Sequence, residues 1–120
     1  MKSDIQLLNY ISEQITILEE YVEGVSEDEF LRNAILKDAC LMKLLVIGEY
    51  SDKVTDDHKK RFSEVEWQLL KAARNYYAHA YGGVNWRRVW ETLYQDIPKL
   101  KERIEHIIAI LEKENNGKTN

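Results

Sequence analysis

The sequence contains little proline, glycine or cysteine. One proline, Pro98, and five glycines among 120 residues predict long helices joined by few turns. The single cysteine, Cys40, cannot form an intramolecular disulfide, and its apolar neighbours favour a buried thiol. No apolar run approaches the length of a membrane span. The N-terminus carries an acid at Asp4 and no apolar signal core, so we expect a cytoplasmic protein without a membrane partner.

Apolar residues recur at three- and four-residue steps along most of the chain, which predicts an all-α, up-and-down bundle of four to five helices. The first helix is expected over 4–23, ended by Gly24. The second region begins at a capping box, Ser26 with Glu29, and continues through about Lys53 after a short opening turn. A short helix is expected near 56–62.

The second half of the chain predicts two more helices. Ser63 and Glu66 form a second capping-box pattern, which predicts a helix from there to Gly82. Asn85 is the expected N-cap of a last helix that runs to about Glu114, and Pro98 is expected to kink or break it. Residues 1–115 are therefore expected to form one domain, followed by a flexible tail over 116–120.

Charge is distributed unevenly along the chain. The 24 residues from Trp67 to Trp90 contain no Asp or Glu and carry +4, while the other 96 residues carry −8. The same stretch holds six of the twelve aromatic residues. Such a window could bind a polyanion, unless its charges point to different faces. Trp86 and Trp90 lie four residues apart and are predicted to pack in the core or a dimer interface rather than stack on bases.

Several kinds of site have no support in the sequence. His58, His79 and His106 are far apart and lack a metal-ligand spacing, so no metal is expected. No local signature pairs Cys40 with a histidine. The two adjacent glycines follow a helix rather than a strand, which is not the arrangement of a phosphate-binding loop.

The stretch RNYYAHAY at 74–81 contains the residue types that metal-free RNA cleavage requires. His79 can move a proton near neutral pH, and Arg74 can neutralise the charge that develops on a phosphorane. On an ideal helix, however, these two residues lie about 140° apart. Either the helix loosens near Gly82, or two chains combine their motifs in one cleft. A structural interpretation also stays open, in which Arg74 pairs with an acid such as Glu49 and His79 complements the helix dipole.

Residues 74–81, with the pattern Arg-Asn-x-x-x-His-x-Tyr, resemble the signature of the HepT-like branch of the HEPN superfamily. Further segments resemble that family in order and spacing: VEGVSEDEFLRN at 22–33, Ile47-Gly48-Glu49, VEWQLLKAARN at 65–75, YGGVNWRRVW at 81–90 and QDIPKLKERIEHI at 95–107. The resemblance covers essentially the whole chain. It identifies residues 1–115 as a HepT-like HEPN domain.

The resemblance implies a homodimer whose interface assembles two motifs into one RNA-cleaving cleft. It implies that Arg74 and His79 are catalytic and that Asn75 and Tyr81 support the motif. It also implies a toxin–antitoxin module, whose partner is a nucleotidyltransferase antitoxin of the MNT type. That antitoxin can transfer AMP from ATP to the motif tyrosine, here Tyr81, so ATP acts only through the partner and no resident cofactor is expected.

Other assignments come from the residues themselves. Lys71, Arg87 and Arg88 are predicted to contact RNA because they lie in the acid-free window.

Two alternative functions stay open beside the ribonuclease toxin. One is a catalytically silent HEPN protein that binds RNA, nucleotide or its nucleotidyltransferase partner, and the other is a plain helical interaction module.

Overall fold

The computed structural model describes residues 2–118, without the side chains of Tyr81 and Lys118, and contains no strand in that range. The helices are α1 (Asp4–Val22), α2 (Glu27–Arg32), α3 (Ala34–Asp52), α4 (Asp56–Arg61), α5 (Trp67–His79), α6 (Trp86–Glu91) and α7 (Ile97–Lys118). A 3₁₀ turn, Tyr81–Gly83, precedes α6, and a π-helical segment, Thr92–Asp96, joins α6 to α7. The prediction of an all-α fold is confirmed. Over the described residues, no helix is long and apolar enough to cross a membrane.

Successive long helices run antiparallel. Near the start of α1, Asp4 bonds to Thr55 just beyond α3, and further along α1 Gln14 accepts a 2.7 Å hydrogen bond from Lys43. At the far end of α1, Glu19 accepts a 2.8 Å bond from Lys101 near the start of α7. The helices α1, α3, α5 and the α6–α7 unit therefore form an up-and-down bundle, with two six-residue helices, α2 and α4, in its connections.

The core lies between α1, α3 and α7. Leu8, Ile11 and Ile15 are fully buried on α1, and they share one cluster with Ile47 of α3 and Ile104 of α7. Their spacing of three and four residues places them on one helix face. Each such side chain contributes roughly 1.5–3 kcal/mol when fully buried, so this seam holds the long helices together.

Most predicted helix boundaries are confirmed. The Ser26 side chain accepts the Glu29 amide at 3.2 Å, and the Asn85 side chain accepts the Arg88 amide at 3.2 Å. Gly24 follows α1 with φ +71°, a left-handed conformation that glycine adopts without steric cost. The predicted opening turn is α2, which ends where Asn33 caps α3.

The predicted capping box at Ser63 and Glu66 is wrong. The helix α5 begins at Trp67, and Glu66 occupies the N-cap position without a side-chain bond to the backbone. The buried Trp67 indole instead donates to the Phe62 carbonyl at 3.1 Å. Anchoring of this large ring fixes where the helix starts, and tertiary packing overrides the local capping pattern.

The last helix is interrupted just before Pro98. Proline provides no N–H, and its ring clashes with the carbonyl four residues earlier, here that of Tyr94. The backbone widens into the π-helical segment Thr92–Asp96 at this point and continues as α7. The helix runs to Lys118 rather than to about Glu114. Residues 116–118 of the predicted tail therefore continue α7, residues 119–120 lie outside the described residues, and flexibility of the tail stays a prediction.

A buried carboxylate ties the start of α1 to α4. Asp4 is 8% exposed, and it accepts 3.2 Å bonds from the Thr55 amide and 2.5 Å bonds from the Thr55 hydroxyl and His58 Nδ1. Burial raises the pKa of the Asp4 carboxyl, but the hydrogen bonds from Thr55 and His58 together lower it further, so its pKa lies below the ordinary 3.8.

Replacing Asp4 with Asn should lower the free energy of unfolding at neutral pH by about 1–3 kcal/mol, because buried donors lose a charged acceptor. Since the folded pKa is the lower one, wild-type stability should fall as the pH drops from about 5 towards 3, and Asp4→Asn should flatten this limb. Urea unfolding across that pH range measures both effects. The matched control is Glu13→Gln, an exposed acid on α1. Equal acid limbs in wild type and Asp4→Asn would contradict the assignment.

Candidate functional site

The RNYYAHAY stretch forms the last turns of α5 and the residues that follow it. Arg74, Asn75, Tyr77 and His79 lie within α5, whose last residue is His79. Tyr81 begins the 3₁₀ turn at 81–83. The helix therefore ends at the motif, and the motif spans a helix end rather than continuous helix.

The helices α3 and α5 lie very close to each other at Gly48. A Cβ added to Gly48 would lie 2.6 Å from the Arg74 Cβ and 3.3 Å from the Leu70 carbonyl oxygen. Real Cβ atoms essentially never come within 3.0 Å of another heavy atom, so only glycine fits here. The missing side chain of Gly48 thus lets the stem of Arg74 lie directly against α3.

Two acids of α3 contact the Arg74 guanidinium. Its Nη1 donates a hydrogen bond to Glu49 Oε2, and its Nη2 lies 3.9 Å from Asp52 Oδ2. Asp52 also lies 3.8 Å from Lys71 Nζ. Glu49 is therefore the principal partner of Arg74.

The structure separates Arg74 from His79. Arg74 is held against α3 with its side chain 24% exposed, whereas His79 and Asn75 are exposed to solvent. Among the described side chains, no hydrogen bond or ion pair joins Arg74 to His79. The single chain therefore keeps the two groups on different faces of α5, as the helical angle predicts.

The tyrosines of the motif have different environments. Tyr77 is buried at 7% exposure and anchors α5 in the core. Burial raises the pKa of the Tyr77 phenol, and a hydrogen bond with Thr92 offsets part of this effect. Tyr76 is 45% exposed. The side chain of Tyr81, predicted to be the modified residue, lies outside the described residues.

The basic residues of the acid-free window all lie near acids from outside it. Lys71 approaches Asp52 at 3.8 Å, as stated above. Arg87 Nη1 is 3.8 Å from Glu27, and Arg88 Nη1 is 3.1 Å from Glu91. These exposed pairs are weak and leave the cations accessible. The window's excess charge is nevertheless partly neutralised in the folded chain, a feature that the sequence distribution did not reveal.

The remaining candidate groups provide little chemistry. Cys40 is fully buried, as predicted, and burial raises the pKa of its thiol to about 11, so almost no thiolate forms near neutral pH. Over residues 2–118, no group of three or more His, Cys, Asp or Glu side chains could hold a metal ion. Trp86 and Trp90 are partly buried against Phe30, in agreement with a packing role.

An open apolar groove of about 560 Å³ lies beside α5. Leu70, Ala73 and Tyr77 of α5 line it, together with residues of α3, α6, the π-helical segment and α7. Leu69, at 62% exposed, and Tyr76 lie at its edge. The exposed face of α5 thus carries large apolar side chains close to the motif.

Sequence reasoning missed two contributors to the site. Gly48 contributes to the sequence interpretation only through the segment Ile47-Gly48-Glu49, although a glycine in the middle of a long helix often signals a close helix contact. No role is predicted for Asp52. It lies one turn after Glu49 on the same helix, and that spacing was the available signal.

Together, the fold and site define an all-α bundle that carries an Arg-x₄-His pair at a surface helix end. Comparison with protein families gives a match to the model described as "Ribonuclease HepT-like" over residues 11–107. This range contains every motif residue, and the chain belongs to the HepT-like ribonuclease family.

Several curated proteins are similar to this chain. A "Probable ribonuclease HepT" from Thermococcus cleftensis is 32% identical over 88% of this chain and 96% of its own length. A "Putative RNase" from Caldanaerobacter subterraneus subsp. tengcongensis is 31% identical over 90% of this chain and 96% of its own length. A "Gamma-glutamylcyclotransferase and putative RNase" from Methanocaldococcus jannaschii is 33% identical over the whole chain, which spans about half (54%) of that relative. No solved structure matches the chain.

Replacing Gly48 with Ala should destabilise the protein. Overpacking costs about 1–3 kcal/mol, more than the gain of up to about 1 kcal/mol from removing a helical glycine. Denaturant unfolding measures the difference. Gly117→Ala is the matched control, because no described atom lies within 4 Å of the added Cβ, and it should not lower stability. A Gly48→Ala protein as stable as wild type would contradict the close contact.

Proposed function

We propose that this protein is a metal-independent ribonuclease toxin of a HEPN/MNT toxin–antitoxin module that acts in the cytoplasm. The observation that carries the proposal is the presence of both Arg74 and His79 on the last turns of α5, inside the region that matches the HepT-like ribonuclease family. An exposed histidine and a reachable guanidinium are the two groups that cleavage by a 2′-hydroxyl needs.

In this mechanism the ribose 2′-hydroxyl attacks the adjacent phosphorus, and the bond from phosphorus to the 5′-oxygen breaks. One His79 accepts the proton from the attacking hydroxyl, and a second protonates the leaving oxygen. Arg74 neutralises charge on the phosphorane oxygens. The products are a 2′,3′-cyclic phosphate and a 5′-hydroxyl. Because one chain supplies only one such histidine, the mechanism favours two chains.

The exposed face of α5 supports a homodimer. Leu69, Ala72, Tyr76 and His79 lie within about 80° of each other on an ideal helix, and all four are exposed. A second copy that packs against the Leu69 and Tyr76 side chains would bury apolar surface. The same contact would bring the two His79 residues towards each other. We propose that this contact forms the composite cleft, in which Asn75 supports the motif.

A nucleotidyltransferase antitoxin of the MNT type is the proposed partner. It would transfer AMP from ATP to Tyr81, and no resident cofactor is proposed. Tyr81 starts the 3₁₀ turn two residues after His79, which supports this site. An attached phosphate adds negative charge beside a cleft that must accept RNA phosphate, so modification would silence the enzyme.

Lys71, Arg87 and Arg88 are proposed to contact the RNA backbone. Their side chains are 49%, 74% and 69% exposed, so a phosphate could reach each of them. The acids near them weaken this attraction without removing it. Phosphate contacts of this kind give salt-dependent binding with no base preference.

A second candidate function is a catalytically silent protein that binds RNA or its nucleotidyltransferase partner. The contacts of Arg74 with Glu49 and Asp52 favour this alternative, because acids occupy part of the guanidinium fork. The exposure of His79 and the remaining N–H groups of Arg74 favour catalysis. The two candidates differ in whether RNA is cut.

Purified protein without its partner should cleave mixed cellular RNA in excess EDTA and leave 2′,3′-cyclic phosphate ends. His79→Ala should lower the rate by at least about 100-fold, the typical contribution of acid–base catalysis. Gel analysis and end-group mapping measure this. Tyr10→Phe, on α1 away from the motif, is the control. Equal cleavage by wild type and His79→Ala would contradict the proposal.

Mixing wild type with an excess of His79→Ala, under conditions in which chains exchange, tests the composite cleft. If two chains share the site, a mixed dimer retains one histidine where the mechanism needs two, so the cleavage rate per wild-type chain should fall. An unchanged rate per wild-type chain would contradict the shared cleft. If wild type leaves RNA uncut, mass spectrometry of the whole protein distinguishes two causes. A mass increased by one AMP group points to modification of Tyr81, and an unmodified mass supports the catalytically silent candidate.

Replacing Lys71, Arg87 and Arg88 together with Gln should weaken RNA binding and reduce its salt dependence. Each lost phosphate contact lowers the slope of log affinity against log salt by roughly 0.7 for single-stranded RNA. Fluorescence anisotropy of a labelled oligonucleotide, with His79→Ala as background to prevent cleavage, measures the slope. Lys99, Lys101 and Lys113 on α7, replaced together, are the control. An unchanged slope in the first variant would reject the assignment.

A further inference from the structure

The Arg74 guanidinium depends on α3 for its placement. Its stem lies against Gly48, where the two helices are in close contact. Its Nε is buried and has no hydrogen-bond partner among the described residues. The polar contacts that fix the direction of the guanidinium are therefore those of its two terminal nitrogens, Nη1 and Nη2.

The two acids contribute unequally. Glu49 accepts a direct hydrogen bond from Nη1. Asp52 lies 3.9 Å from Nη2, and it is shared with Lys71 at 3.8 Å and Lys59 at 3.7 Å. A carboxylate spread over three cations at these distances orients none of them firmly. Glu49 is the acid that holds Arg74.

This contact leaves Arg74 able to bind a phosphate. A guanidinium has five N–H donors, and each terminal nitrogen carries two. Glu49 therefore uses one donor of Nη1 and leaves the other free for an incoming oxygen. The Arg74 side chain is 24% exposed and that of Glu49 is 46% exposed, so an incoming phosphate can reach the pair from solvent.

We propose that Glu49 is a positioning residue for RNA cleavage, which fixes the Arg74 guanidinium so that its remaining donors meet the phosphorane. This inference rests on the proposed ribonuclease function. A donor that is already fixed needs no reorganisation as charge develops, and such preorganisation contributes mainly to the transition state. The negative charge of Glu49 also repels the substrate phosphate, so the residue raises kcat while opposing RNA binding.

These two effects predict an unusual kinetic pattern. Glu49→Gln and Glu49→Ala should lower kcat about tenfold or more, while KM for a labelled RNA oligonucleotide stays constant or falls. A residue with only a structural role would not give this split. In an Arg74→Ala background, the Glu49 substitutions should have no further effect on kcat, because the group that they position is absent.

The matched control is Glu19→Gln, which breaks the Glu19–Lys101 pair between α1 and α7. That pair joins two helices at 2.8 Å, and the Glu19 side chain is 39% exposed, similar to Glu49. Its kcat and KM should equal those of wild type. Thermal unfolding by circular dichroism checks every variant, and Glu49→Gln, which keeps the side-chain shape, decides the result if Glu49→Ala does not fold.

An unchanged or increased kcat in Glu49→Gln, beside an active wild type, would overturn the positioning role and leave the proposed function intact. The positioning role would also be overturned if the losses of kcat from Glu49→Ala and Arg74→Ala were additive in the double variant. Failure of the proposed function would be seen in the wild-type protein rather than in the variants. If wild-type protein with unmodified Tyr81 leaves RNA uncut, the proposed function is wrong, and the positioning role is wrong with it.

Discussion

The contact between α3 and α5 at Gly48 is the constraint on which the candidate site depends. With no side chain at that position, the stem of Arg74 lies against the neighbouring helix. Glu49, next in the chain, is then within reach of the guanidinium. A larger residue at position 48 would separate the helices and remove this contact. This close contact between two helices therefore determines where the Arg74 guanidinium is held.

The proposed cleavage needs the arginine and the histidine together, whereas the folded chain holds them apart. Arg74 faces α3, and His79 is exposed at the end of α5. The exposed apolar residues of α5 continue from Leu69 to Tyr76 and lead to His79. A surface of this kind favours association with another protein surface. The proposed dimer would use it to combine groups that a single chain keeps on different faces.

Local rules gave most of the helix ends, because the caps are local interactions. Ser26 and Asn85 bond to amides three residues away, and Gly24 adopts a conformation that few other residues tolerate. The start of α5 could not be predicted in this way. The indole of Trp67 bonds to Phe62, and that contact depends on burial in the finished core rather than on the residues that resemble a capping box.

The sequence by itself determined the all-α class, most helix ends, the buried thiol of Cys40, and the Arg-x₄-His spacing. These features depend on residue type and short-range periodicity, which are fixed by the order of residues. Only the tertiary structure decided that Glu49 is the main partner of Arg74 and that Asp52 is shared with Lys71. It also decided that Glu27 lies beside Arg87. These contacts join residues on different helices, and their distances depend on how closely the helices pack.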